Sequence, residues 1–159
     1  MFLKVTSSFQ NNNKERINMD DEFFMKQSLM EAQRAADADE VPIGAVIVMQ
    51  HKIIGRGYNQ VETLNDSTAH AEIIALTSAF NYLGSKYLPE ATLYVTIEPC
   101  AMCCGALYWS KIGRLVYGAS DPKHGGLAKV KLHPKTQIVG NIYADDCVMM
   151  MQNFFKKKR

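Results

Sequence analysis

Four side chains in two short stretches carry chemistry that their surroundings do not. "TAHAEIIAL" (68–76) holds His70 and Glu72, and "TIEPCAMCCGAL" (96–107) holds Cys100 and Cys103. Cys100-x-x-Cys103 puts two thiolates on one helical turn, a spacing that suits a metal ion. Alone it would suit a redox pair equally, and Pro99 would be only a helix-starting proline. His70 changes the balance. Both stretches read as helix starts, at 68–69 and 99–100, and side chains in a first turn lean over the N-terminal end. Two such ends can aim His70, Cys100 and Cys103 at one metal, and their positive dipoles favour thiolates. Three protein ligands leave the fourth position of a tetrahedral ion open, the mark of a catalytic site. A water there has its pKa lowered toward about 7, which makes hydroxide available at neutral pH. Glu72 stands two residues from His70, so the two do not share a helix face. It is left unliganded as the proton carrier, the simpler alternative being an acid that complements a helix N-terminus.

The remaining polar candidates read more plainly. Cys104 and Cys147 are expected in the core, and Glu98 as a local hydrogen-bonding group. His51, His124 and His133 fall in loops, with His124 a candidate for the rim of a substrate site.

The elements that must position these groups follow from periodicity. Residues 1–18 are polar, Asn-rich and without period, and are expected to be a disordered leader; residues 19–159 form one domain. Met19 opens a helix in which Met25, Leu29, Ala32 and Ala36 share a face, with Asp20 and Asp21 at its positive end. "IGAVIVM" (43–49) and "KIIGRGY" (52–58) read as a hairpin, 68–83 as a helix and "TLYVTI" (92–97) as a buried strand. A short helix at 100–111, a strand at 114–119, a loop over 120–136, a last strand "TQIVGNIYA" and a final helix from Asp145 or Asp146 complete the order. Strands alternating with helices predict a mostly parallel or mixed sheet covered on both faces.

Composition narrows the function classes. A net charge of +2 is too small to mark a nucleic-acid binder, and the basic residues gather at the end, in "NFFKKKR". Cations suit phosphate and aromatics suit bases, although the same cations would complement the negative end of a helix. No apolar run reaches the roughly 18 residues of a membrane span. Nor does the N-terminus offer an export signal, so the four cysteines are expected to be reduced and the protein cytoplasmic.

H-x-E followed by P-C-x-x-C is the signature of zinc-dependent nucleobase deaminases. "VPIGAVIV", "TAHAEIIAL", "ATLYVTIEPCAMCCGAL", "VYGASD" and the terminal "FFKKKR" resemble the bacterial tRNA adenosine deaminases in order and spacing, over roughly residues 20–159. The resemblance implies a three-layer α/β/α cytidine-deaminase-like fold with a five-stranded mixed sheet, and a homodimer whose subunits both shape the RNA site. It implies hydrolysis of the wobble adenosine of a tRNA anticodon stem-loop to inosine. Under it His70, Cys100 and Cys103 hold one zinc ion per subunit and Glu72 is the general acid and base. Asn59 matches a family asparagine that hydrogen-bonds the target nucleotide, its alternative being a turn residue. Asp121 matches an acidic position on the RNA-facing loop. Cys104, Lys135-Thr136-Gln137, Gly140-Asn141 and Asp146-Cys147 depart from the family pattern, none of them in the metal motif. Two other functions compete: a free-base deaminase acting on guanine or cytosine, and a non-catalytic zinc module that only binds RNA, against which the intact Glu72 speaks.

Overall fold

The β-branched runs on either side of Gln50-His51 pair as the expected hairpin, strand β1 (Gly44–Met49) against β2 (Lys52–Tyr58). Gln50 (φ 51°) and His51 (φ 60°) both take the left-handed conformation that a tight two-residue hairpin turn requires. In this computed structural model residues 8–159 are described, with their side chains from Asp20 onward. Three more strands complete one sheet: β3 (Thr92–Ile97), β4 (Arg114–Ala119) and β5 (Gln137–Val139), in the order β2-β1-β3-β4-β5. β1 runs antiparallel to β2 and β3, whereas β3, β4 and β5 are parallel, so the sheet is mixed.

Alternation along the strands sends side chains to two covered faces. On one, Ala45, Ile47, Leu93, Val95 and Leu115 pack with Ala71, Ala75 and Ala79 of helix α3 (Ala71–Leu83) and Leu107 of helix α4 (Ala101–Ser110). On the other, Val46, Val48, Tyr94 and Val116 meet Phe24 and Met25 of helix α1 (Ser8–Asp37). There too Cys147 of helix α5 (Ala144–Lys157) joins Ile97 and Ala119. The result is the expected α/β/α layering. Gly57 matters to it. A Cβ there would overlap the Ala71 carbonyl, so the bare backbone lets the first turn of α3 lie on β2. Among the described residues no helix is long and apolar enough to cross a membrane.

Three boundaries differ from the sequence reading. The last strand stops at Val139 and does not run through "GNIYA", because Asn141 (φ 68°) and Tyr143 (φ 54°) are left-handed and break any extended run. A short helix α2 (Val61–Leu64) follows β2, where no element was expected. Helix α1 begins at Ser8 and not at Met19, since no Gly or Pro interrupts the chain between them. It therefore enters the stretch expected to be a leader, whose residues 1–7 lie outside the described residues.

Candidate functional site

Parallel strands β3 and β4 end side by side at Ile97 and Ala119, and the chain beyond each turns across the same edge of the sheet. Beyond β3, Glu98 and Pro99 lead to Cys100, the N-cap of α4 (φ −69°, ψ 173°). Beyond α2 the chain reaches His70, the N-cap of α3 (φ −75°, ψ 153°). An N-cap side chain normally accepts a hydrogen bond from its own first turn. Neither of these does, and both are free to face each other. His70 Nδ1 lies 3.5 Å from Cys100 Sγ and 3.6 Å from Cys103 Sγ. All three donor atoms fall within 4.8 Å of one another, close enough to share one metal ion. The two-helix-end arrangement thus stands with one adjustment: His70 and Cys100 are caps, and only Glu72 and Cys103 lie inside first turns.

The three donor groups shift one another's pKa. Hydrogen bonds from Cys103 and then from His70 bring the Cys100 thiol down to about 3. The Cys103 thiol is driven up, first by its hydrogen bond to Cys100 and then by burial, and the bond to Cys100 raises His70 in turn. A metal ion displaces such protons, since its ligands must be thiolate and neutral imidazole. Glu72 lies beside this cluster, 4% exposed, with its pKa raised chiefly by burial. Among the described residues no lysine or arginine pairs with it.

The other predicted site residues surround the cluster in different ways. Asn59 is buried just beyond β2, and among the described residues its side-chain Oδ1 has no hydrogen-bond partner. Its backbone N–H donates to Ile43 at 3.1 Å, and the next N–H, of Gln60, donates to Ala69 at 3.0 Å, which ties Asn59 to the segment before His70. Asp121 turns back on its own loop, its Oδ1 accepting the backbone N–H groups of Lys123 (3.1 Å) and His124 (2.9 Å). Cys104 stands behind the ligands, buried, its thiol donating to the Pro99 carbonyl at 3.5 Å and raised by burial to about 12. Cys147 is in the core. His51 and His124 are exposed and His133 is half-buried.

Sequence reasoning missed Glu40. It is buried, and its carboxylate accepts the Glu62 N–H (3.2 Å), the Thr63 N–H (2.6 Å) and the Thr63 hydroxyl (2.9 Å), which fixes α2 between Asn59 and His70. No local signal marks a carboxylate whose partners are more than twenty residues away. The pair Gly125-Gly126 did carry a signal, as the glycines of the longest loop. Gly125 forms a β-bridge with Cys100, and a Cβ on Gly126 would meet the backbone of Cys100 and Ala101 at 2.5 Å.

A cluster of one imidazole and two thiols at two helix ends, with a buried carboxylate beside it, can hold a metal and move a proton. Comparison with known proteins gives that arrangement a family. The model of the MafB19-like deaminases matches residues 19–159. The tRNA-specific adenosine deaminase of Buchnera aphidicola subsp. Schizaphis graminum is 47% identical over 145 residues, covering 87% of this chain and 96% of that protein. A structure from studies of A-to-I editing by tRNA:A34 deaminases at the wobble position of transfer RNA superposes with a TM-score of 0.76 at 40% identity, over 80% of this chain and 98% of that one. Guanine deaminase from Bacillus subtilis superposes with a TM-score of 0.60 at 42% identity, over 62% of this chain and 64% of that one. With a deaminase model matched from residue 19 onward and close identity along almost the whole of a relative, the chain belongs to the tRNA-specific adenosine deaminase family.

Proposed function

We propose that this protein hydrolyses adenosine to inosine at the wobble position of a tRNA anticodon, with His70, Cys100 and Cys103 holding a zinc ion and Glu72 moving the protons. The observation that carries the reading is the donor cluster with an unpaired, buried carboxylate beside it. Two thiolates and an imidazole are a donor set that suits zinc. Zinc bonds of about 2.3 Å to sulfur and about 2.0–2.1 Å to nitrogen imply a tetrahedral S···N edge of about 3.5 Å. The donors already stand at that spacing, at 3.5 and 3.6 Å. When bound, zinc supplies a water whose pKa is lowered toward neutrality.

The chain's own residues do the rest. Glu72 delivers a proton to N1 of adenine, which makes C6 electrophilic toward water oxygen. It then takes a proton back from the oxygen that has added to C6 and delivers it to the C6 amino nitrogen, so that the C6–N bond breaks with ammonia leaving instead of an amide anion and C6 becomes the carbonyl of inosine. Burial favours its protonated form, as the first half of that cycle needs. Asn59 completes its hydrogen bonding on the target nucleotide: a buried acceptor without a donor is costly, by about 1–3 kcal/mol, until a ligand supplies one. Asp121 belongs to the loop that meets the RNA. A paired adenine cannot reach the site, whereas an anticodon loop offers unpaired bases.

The protein acts in the cytoplasm as a homodimer. On α4, Met102, Tyr108 and Trp109 are exposed, Trp109 by 75%, an apolar face that a second copy would cover. At the end of α5, Lys156, Lys157, Lys158 and Arg159 gather the cations that suit RNA phosphates, Lys158 being paired with Asp39 in the protein alone.

The deciding experiment measures inosine in a transcribed anticodon stem-loop beside ammonia release from guanine, cytosine and free adenosine, all with the zinc-loaded protein. Conversion of the stem-loop with free adenosine a very poor substrate is the expected result. Turnover of guanine equal to that of the stem-loop would instead support a free-base deaminase, the activity named for the Bacillus subtilis neighbour.

A further inference from the structure

The segment that joins Asn59 to His70 has little to hold it in place. It folds as the single turn of α2 and a bend, every residue from Glu62 to Thr68 is exposed, and no residue of α2 is buried. A helix of one turn is unstable by itself in water, and here no apolar face docks it. Its internal hydrogen bonds close it into a loop without tying it to the sheet. Gln60 N–H donates to the Ala69 carbonyl at 3.0 Å across the neck of the loop, and Asp66 N–H to the Val61 carbonyl at 3.1 Å inside it. Asn59 and His70 flank that neck.

The tie from outside is a single side chain. Among the described residues, the hydrogen bonds that reach residues 61–68 from elsewhere in the chain all end on the Glu40 carboxylate, which takes the Glu62 and Thr63 amides and the Thr63 hydroxyl. Both amides lie in the first turn of α2, whose N-cap Gln60 makes no side-chain bond of its own. Glu40 therefore caps α2 from another part of the chain, an anion at the positive end of a helix. It is 1% exposed, and among the described residues no lysine or arginine pairs with it. Its own N–H donates to the Ala35 carbonyl at 2.8 Å, and three residues further on the Ile43 carbonyl accepts the Asn59 N–H at 3.1 Å. Residues 40–43 thus hold the chain at Asn59 itself and again at α2 just after it. Asn59 needs both, because among the described residues its Oδ1 has no partner to orient it, and its aim depends on how its backbone is held. His70 does not depend on α2 in that way, since it opens α3, whose Ala71 and Ala75 are buried in the core.

We propose that Glu40 is a positioning residue for substrate binding: by ordering α2 it fixes the backbone beyond Asn59 and aims the Asn59 amide at the target nucleotide. The metal ligands are held independently of it. This rests on the functional reading above, which gives Asn59 the nucleotide, and names what keeps that contact in register.

Steady-state kinetics and fluorescence anisotropy with an anticodon stem-loop and the zinc-loaded protein test it, with zinc content and melting temperature measured on every variant. Glu40→Ala should raise KM and the dissociation constant about tenfold or more, the loss expected when hydrogen bonds to a charged group are removed, with kcat within about threefold of the unmodified protein and about one zinc per chain retained. Glu40→Gln should recover most of that loss, because one oxygen accepts both Thr63 bonds and an amide oxygen can keep them. Thr63→Val removes the hydroxyl bond alone and should raise KM about threefold; it carries the same test if Glu40→Ala does not fold. In an Asn59→Ala background each substitution should add less than about a further twofold, since the residue it acts through is gone. Losses that multiply in that background, or a Glu40→Ala protein without zinc, would overturn the positioning role while leaving the deaminase reading intact. Failure of the unmodified protein to convert the stem-loop would overturn both.

Discussion

Glu72 and Asp21 are carboxylates hidden to nearly the same degree, 4% and 2% exposed, yet their surroundings differ completely. Asp21, on α1, receives two hydrogen bonds from the Arg114 guanidinium, at 2.6 and 2.7 Å, and one from the Tyr94 hydroxyl at 2.8 Å. Its charge is paired and its lone pairs are used. Among the described residues Glu72 pairs with no lysine or arginine, and burial is the first cause of its raised pKa. A buried carboxylate with a bidentate arginine fastens a helix to a sheet. One left without such a partner has a protonation state that is easily changed, which is what acid and base catalysis at neutral pH requires.

The largest expected effects separate these two roles. Glu72→Ala should keep about one zinc per chain but lose deamination by roughly 10²–10⁴-fold, the range for a positioned general acid or base. Its melting temperature should not fall, because an unpaired buried acid is being removed. Cys103→Ala should lose metal and activity together. A Glu72→Ala protein that purified without zinc would make Glu72 a ligand and end the contrast.

Asp21→Ala should do the reverse. Removing one partner of a buried pair leaves the other desolvated and uncompensated, a cost of about 3 kcal/mol. Urea denaturation should report that loss, with activity per folded molecule unchanged. A fall in kcat at full folding would mean that the α1 anchor reaches the site.

The contrast also explains what could be read from residues alone. The grouping of His70, Cys100 and Cys103 was legible because H-x-E and P-C-x-x-C are local patterns, and the strands were legible because their apolar runs are bounded by turns. Asp21 was read only as an acid suited to a helix start, because its partners Arg114 and Tyr94 lie 93 and 73 positions away. Glu40 was invisible for the same reason. The end of the last strand was misjudged because the left-handed backbone at Asn141 and Tyr143 is enforced by packing rather than by glycine: Asn141 N–H reaches the Gly118 carbonyl at 3.1 Å. The sequence also could not tell which predicted polar residues would be spoken for. Asn59 and Asp121 look alike as candidates, yet among the described residues the Asn59 Oδ1 has no partner and the Asp121 Oδ1 has two.

A smaller effect sharpens the comparison from the other side. Lys158 pairs with Asp39 at 2.5 Å, but their side chains are 46% and 75% exposed. Solvent screens such a pair, so Lys158→Ala should cost at most about 1 kcal/mol, well below the loss at Asp21. Raising the salt concentration should shrink that difference further. A cost equal to that of Asp21→Ala would show that exposure does not decide between the pairs.

The smallest effect is expected at the other end of α1, where deleting residues 1–18 should leave melting temperature and deamination essentially unchanged. Three observations converge on that boundary. The deaminase family model begins to match at residue 19. The anchor to Arg114 and Tyr94 is at Asp21, so the deletion leaves every partner of that network in place. The new helix would also start on Asp20, Asp21 and Glu22, three acids in the first turn, where the positive end of the helix dipole favours them. A melting temperature several degrees lower would mean that the early turns of α1 contribute to the fold, and that the Asp21 anchor is not where the helix begins to be held.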